Sequence, residues 1–142
     1  MSEQNKTLVR RLTEEVWNRG NFAVADELVA SDYIGHSPTA PGGTHGIEGY
    51  KSFFIALRNA FPDIRVSIED EIAEGDKVST RWEAQGTHKG EFAGIPPTGK
   101  HGVITGTSTF HISNGKVKEC WTNADDLGLM QMIGVVPARA NQ

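Results

Sequence analysis

The run ITGTSTFHISNGKVKECWTNAD, from Ile104 to Asp125, decides the fold. Apolar and polar residues alternate on both sides of Asn114-Gly115, a dipeptide typical of two-residue hairpin turns. Alternation with period two predicts β-strands over residues 104–112 and 117–125. We therefore expect these two strands to pair antiparallel, with Asn114-Gly115 as the turn between them.

The residues before this hairpin predict helices first and strands second. Helical spacing marks a first helix with Leu8, Leu12 and Val16, which ends at Gly20, and a second helix over residues 22–29. A third helix presents a broad apolar face from Ile47 to Phe61 and is stopped by Pro62. Period-two alternation then begins, at residues 64–68 and 78–84. A last helical turn spans residues 127–133.

The connection between the second and third helices is predicted from composition. Residues 32–36 read as a short extended piece, and Ser37 to Gly46 contains two prolines and three glycines, which predicts a loop. Helices followed by an antiparallel meander predict an α+β domain, with the helices packed on one face of a curved sheet. A curved sheet wrapped around helices forms a cone with an open mouth, and a ligand would lie in that mouth.

Composition and charge argue against several classes of protein and partner. The 142 residues carry 14 Lys and Arg against 18 Asp and Glu, a net charge of −4 without a basic run, which argues against nucleic acid and anionic membranes as partners. We expect one domain over residues 1–142. A single cysteine excludes an internal disulfide, and no apolar run has membrane-spanning length. A soluble, cytoplasmic protein is the expected class.

Asp125 is the leading candidate for chemistry. If the last strand is regular, its side chain shares one face with those of Val117, Glu119, Trp121 and Asn123. A carboxylate on a face that also carries Trp suggests the wall of a pocket, where apolar surroundings raise the pKa and allow proton transfer. The alternative is that Asp125 caps the helix that follows, a role that Asp126 could fill equally well.

The hairpin register places small residues beside this carboxylate. It sets Ile104 opposite Asp125, Gly106 opposite Asn123 and Ser108 opposite Trp121. The small side chains at positions 106 and 108 leave space for a substrate, whose carbonyl oxygen the Asn123 amide could bind.

Two further positions stay open. Glu119 either lines the pocket or forms an ion pair with Arg81. Arg81 and Trp82 are neighbours in a strand, so only one of them enters the cavity, and the alternation does not decide which.

The histidines do not show metal spacing, and no metal or cofactor is expected. His36 ends a short strand, where it either bonds the following loop or orients a substrate at the mouth. His111 lies on the face opposite Asp125 if the turn pairs it with Lys118, and only a β-bulge would bring the two together.

Three segments resemble the SnoaL-like polyketide cyclases, or ester cyclases, of the NTF2-like superfamily. They are Gly86 to Lys100, the closing motif from Trp121 through Asp125 to Gly134, and Asp32 to Pro38. The resemblance implies an NTF2-like cone, a homodimer or dimer of dimers, and intramolecular aldol ring closure without metal or cofactor. It also implies that Asp125 is the acid/base, that His111 assists it, and that His36 lines the mouth.

Three functions follow from these observations. The first is a cofactor-independent cyclase or isomerase acting on a hydrophobic, polyketide-like carbonyl compound. The second is a protein that binds a small hydrophobic ligand in the same cone without chemistry, and the third is a sheet-mediated association module. For the homodimer we expect the open sheet face to carry Thr105, Thr107, Thr109 and His111 opposite Lys118, Cys120, Thr122 and Ala124.

Overall fold

The structure is a computed structural model that describes residues 2–38 and 40–137. Helix α1 (Ser2–Leu12) continues into a π-helical segment (Thr13–Asn18) and is followed by α2 (Ala23–Leu28), α3 (Gly46–Ala60) and α4 (Asp126–Met132). In the described part of the chain, every helix is too short or too polar to cross a membrane.

Six strands form one sheet in the order β2-β1-β6-β5-β4-β3. Their bounds are Val29–Ser37 (β1), Ala40–His45 (β2), Arg65–Glu74 (β3), Lys77–Thr87 (β4), His101–Ser113 (β5) and Lys116–Ala124 (β6). All neighbours are antiparallel except β1 and β6, which run parallel. The expected α+β architecture, helices against an open curved sheet, is confirmed.

The helices cover the concave face of the sheet because their apolar residues repeat at helical spacing. Val9, Leu12 and Val16 are fully buried and pack in one core cluster with Val78 and Phe110 of the sheet. A second cluster, built on Ala60, Phe61 and Ile133, lies at the other end of α3, where α4 and the loop after β4 meet it.

The hairpin turn has the predicted chemistry. Asn114 and Gly115 both have positive φ, 54° and 75°, as a two-residue turn of this hand requires. Ser113 pairs with Lys116 and Ile112 with Val117, so the predicted hairpin is confirmed at its tip.

The loop predicted over residues 37–46 is wrong in part. Residues 40–45 form β2, which pairs antiparallel with β1 at the edge of the sheet. An edge strand tolerates proline because one side of its backbone needs no ladder partner, so a segment rich in proline and glycine can still pair here.

Candidate active site

A cavity of about 250 Å³ opens between the concave sheet face and helices α3 and α4. Drug-sized ligands typically occupy cavities of about 300–1,000 Å³, so this one suits a compact molecule. Its wall is mostly apolar, and its large apolar and aromatic residues are Trp17, Tyr33, Tyr50, Phe53, Phe54, Leu57, Phe61, Ile64, Val66, Trp82, Phe92, Ile104, Phe110, Leu129, Met130 and Met132.

A β-bulge in β6 decides which side chains face this cavity. Ile112 pairs with Val117, but the next residue of β5, His111, pairs with Glu119, so Lys118 is an extra residue in β6. One extra residue moves every later side chain to the other face. From position 119 onward the predicted face of the last strand is therefore wrong.

The bulge exchanges two sets of residues. Cys120, Thr122 and Ala124 line the cavity, although they were expected on the open sheet face. The residues expected inside, Glu119, Trp121 and Asn123, lie on that open face instead. The register shifts accordingly, because Gly106 pairs with Ala124, Ser108 with Thr122, Thr107 with Asn123 and Thr109 with Trp121.

Asp125 is the cap of α4. Its carboxylate accepts a hydrogen bond of 2.9 Å from the backbone N–H of Gly128, and its own N–H donates to the Thr105 carbonyl. It is exposed and is not among the residues that line the cavity. The expectation that Asp125 lies on the inner wall is therefore wrong, and its capping alternative describes the structure.

Asp126 is the carboxylate that lines the cavity. Burial and, to a lesser extent, the negative charge of Asp125 raise the pKa of the Asp126 carboxyl above its ordinary value. Residue-by-residue alternation missed this side chain because the bulge displaces the strand by one position. The consecutive aspartates were a usable signal, since one could cap the helix while the other faced the cavity.

Trp82, and not Arg81, enters the cavity. The Trp82 indole N–H donates to the Ser108 hydroxyl at 3.0 Å, and both residues line the wall. Arg81 lies on the open face and forms an ion pair with Asp70 at 2.7 Å. The alternative ion pair between Arg81 and Glu119 is therefore wrong.

His36 belongs mainly to the open face. It contributes to the cavity lining, but its imidazole stacks on Trp121 at 5.4 Å and contacts the Glu119 carboxylate at 2.6 Å. Trp121 and Glu119 do not line the cavity. The Lys77 ammonium lies 5.6 Å from the Trp121 ring and completes this cluster.

His111 points away from Asp125 and Asp126. Its Nε2 lies 2.8 Å from the Asp76 carboxylate, and it is not a lining residue. The bulge puts Glu119, the partner of His111, on the open face, but Asp125 lies beside Thr105, six residues further along β5, so His111 and Asp125 do not meet.

The deep wall of the cavity holds weakly acidic groups whose ionisation is suppressed. Burial raises the pKa of Tyr50 and of Tyr33, and it raises the pKa of the Cys120 thiol to about 11. These groups stay protonated near neutral pH, and Asp126 is the one carboxylate among the described lining residues. The described residues contain no cluster of His, Cys, Asp and Glu of the kind that holds a metal ion.

The model of the SnoaL-like polyketide cyclase family matches residues 7–133. The chain belongs to this family. The matched range includes every strand and helix α4, and therefore the sheet and the helix that enclose the cavity. No protein of curated function matches the chain by sequence.

Solved structures of family members are similar to this one over nearly their whole length. A protein provisionally named a SnoaL-like polyketide cyclase from Jannaschia sp. CCS1 is 28% identical, with 96% and 95% of the two chains covered and a TM-score of 0.88. One provisionally named a polyketide cyclase from Acidithiobacillus ferrooxidans is 32% identical, covers 92% and 94%, and has a TM-score of 0.83. IdmH from Streptomyces antibioticus, named likewise, is 31% identical, covers 92% and 99%, and has a TM-score of 0.80.

Proposed function

We propose that this protein is a cofactor-independent cyclase or isomerase in which Asp126 transfers protons on an apolar carbonyl compound. The observation that carries the proposal is the position of Asp126, a carboxylate with a raised pKa in a mostly apolar cavity. A base of this kind has its pKa moved toward working pH, which favours proton abstraction from carbon.

The proposed reaction is an intramolecular aldol-type ring closure. The Asp126 carboxylate removes a proton from a carbon next to a carbonyl, and the electron pair of that C–H bond becomes an enolate. The enolate carbon bonds to a second carbonyl carbon of the same molecule, and the π electron pair of that carbonyl moves to its oxygen. This oxygen stays bonded to its carbon and takes the proton back from Asp126. No redox partner is needed, since atoms and electrons balance within the substrate.

The apolar wall supports this chemistry in two ways. Trp82 and Ile104 exclude water beside the substrate, and a dry site strengthens every electrostatic interaction with the enolate. Neighbouring carbonyls in a polyketide-like chain delocalise the enolate charge, so a site with one acid/base group is sufficient.

The test is Asp126→Asn against a panel of poly-β-ketone substrates, with and without EDTA. General acid–base groups typically contribute about 10²- to 10⁴-fold, so we expect turnover to fall by that factor while ligand affinity is kept. Asp70→Asn, a carboxylate on the open face, is the matched control and should keep full activity. Undiminished turnover in Asp126→Asn, or activity abolished by EDTA, would contradict the mechanism.

A non-catalytic binding protein is the second candidate. It is favoured by the absence of a second carboxylate among the described lining residues, since a ligand-binding cavity needs only one polar anchor. Tight binding of a carbonyl compound without turnover in the wild-type protein would select it.

We also propose a homodimer through the open face of the sheet. One row of side chains crosses five strands there, with its members paired in sequence: Ile72, Ser79, Thr109, Trp121 and His36. Ile72, at one end of the row, and Trp121, next to the other end, are exposed by 70% and 37%, which leaves apolar area uncovered. The polar surroundings of that area suit a second copy of the same surface.

A further inference from the structure

A row of hydrogen-bond donors crosses the deep wall of the cavity. The Ser108 hydroxyl lies 3.0 Å from the Trp82 indole nitrogen and 2.9 Å from the Thr122 hydroxyl. The Thr122 hydroxyl lies 3.6 Å from the Cys120 sulfur, which in turn interacts with the Tyr33 hydroxyl. All of these residues line the cavity.

Trp82 sets the direction of the row at one end. An indole N–H only donates, so the Ser108 oxygen must accept from it, and the Ser108 proton must go elsewhere. The indole reaches Ser108 by lying across Gly106, where an added Cβ would stand 2.3 Å from Trp82 Cζ2. A hydroxyl that accepts a hydrogen bond becomes a better donor, so Trp82 strengthens Ser108 as a donor.

The hydroxyls of Ser108 and Thr122 carry two protons, and the hydrogen bond between the two oxygens uses only one of them. They share a single hydrogen bond, in which either oxygen can donate. Among the described residues, the remaining acceptor is the Cys120 sulfur at 3.6 Å, a weak one. Ser108 is only 3% exposed and lines the cavity, so the group that accepts this proton must lie in the cavity.

We propose that Ser108 donates this proton to a carbonyl oxygen of the ligand, and that Trp82 positions Ser108 for it. The inference rests on the proposed function for the ligand class, an apolar carbonyl compound. Thr122, paired with Ser108, precedes Asp126 by four residues, a stretch that spans at most about 14 Å. Ser108 and Asp126 line the same cavity, so one ligand in it can contact both the donor and the carboxylate.

The experiment uses 1-tetralone and tetralin, which share a bicyclic carbon frame and differ by one carbonyl. Changes in apolar packing affect both molecules, so the ratio of their dissociation constants isolates the oxygen. The decisive comparison is Trp82→Phe with and without Ser108→Ala, because Ser108→Ala alone would free the indole N–H as a substitute donor. The control is Trp82→Phe with Ser79→Ala, the same serine substitution on the open face.

We expect Ser108→Ala to reduce the preference for the ketone about five- to tenfold in the Trp82→Phe background, the value of one hydrogen bond. The Ser79 control should leave the preference unchanged. The infrared carbonyl stretch of bound tetralone should lie at lower frequency in the wild-type protein than in an alkane solvent, and this shift should be lost with Ser108. An unchanged ratio and an unchanged stretch would overturn the proposal.

Thr122→Val provides a test of opposite sign. It removes the competing acceptor and keeps the bond between Trp82 and Ser108, so the ketone preference should be kept or raised. A fivefold fall would overturn the proposal, and this arm decides if the double variant no longer binds tetralin. Asp126→Asn separates the two proposals. The infrared shift of the bound carbonyl should be kept in this variant, because it depends on Ser108. Turnover by the variant would refute the proposed function of Asp126 without bearing on Ser108 as the donor.

Discussion

Asp125 and Asp126 are consecutive in the chain, yet their carboxylates have different surroundings and different tasks. The first accepts the Gly128 N–H at 2.9 Å and is exposed, whereas the second lines the cavity. The negative charge of Asp125 contributes to the raised pKa of Asp126. The capping residue thereby tunes the residue that we propose as the acid/base.

Asp125→Asn should lower the pKa of Asp126, because ionising Asp126 no longer places two negative charges side by side. Asn caps helices about as well as Asp, so α4 should be unaffected. The measurement is a ¹³C NMR titration of the Asp126 carboxyl, with Asp70→Asn as the control that leaves it unchanged. The acidic limb of any kcat/KM profile should move to lower pH in parallel. A pKa that stays constant or rises would refute the coupling.

Because Asp125 caps α4 through the Gly128 N–H, substitutions at these two residues should have coupled effects on stability. Gly128→Ala normally stabilises a helix by about 1 kcal/mol. Here the added Cβ would stand 2.1 Å from the Asp125 carboxylate and displace the cap, which costs about 1 kcal/mol. We therefore expect little net change for Gly128→Ala in the wild type but a gain of about 1 kcal/mol in an Asp125→Ala background. Chemical denaturation of the four proteins measures this, and additive effects would show that the two residues are independent.

Gly106→Ala should displace Trp82 from the cavity wall. The new Cβ would lie 2.3 Å from the indole, and overpacking of this kind costs about 1–3 kcal/mol. Gly42→Ala, which meets no atom within 4 Å, is the control and should be nearly neutral. Thermal unfolding compares the two, and Trp82 fluorescence should shift only in the Gly106 variant. Equal effects at the two glycines would contradict the close packing.

Thr109→Arg should convert the proposed dimer to a monomer. Thr109 lies in the middle of the row on the open face, between Ser79 and Trp121, and a long charged side chain there opposes a second sheet. Ser52→Arg on the exposed side of α3 is the control. Light scattering at micromolar concentration reports the mass. A wild-type monomer, or a Thr109→Arg dimer, would be evidence against this interface.

The hairpin shows how much of the fold could be predicted from local chemistry. Asn114-Gly115 adopts positive φ at low cost, and this property of two residues predicts both the turn and the antiparallel pairing. The helices were predictable for a similar reason, since Val9, Leu12 and Val16 fall on one face of a helix wherever it lies.

The candidate site was predictable only up to the bulge. Ser108 was placed correctly on the cavity wall, whereas the choice between Arg81 and Trp82 stayed open until the structure put Trp82 there. Asp126, Thr122 and Cys120 were assigned to the wrong face or left out, because one extra residue at Lys118 inverts every later position of β6. No composition or spacing in the strand itself marks that insertion.

The sequence by itself therefore determined the elements, the hairpin and the class of fold, because these depend on the preferences of neighbouring residues. Only the tertiary structure decided which aspartate meets the ligand and which caps the helix. That choice depends on the pairing of β5 with β6, where a β-bulge places Thr122 opposite Ser108 and turns Asp126 to the cavity. Register is a relation between two strands, and it is set by the packing of both.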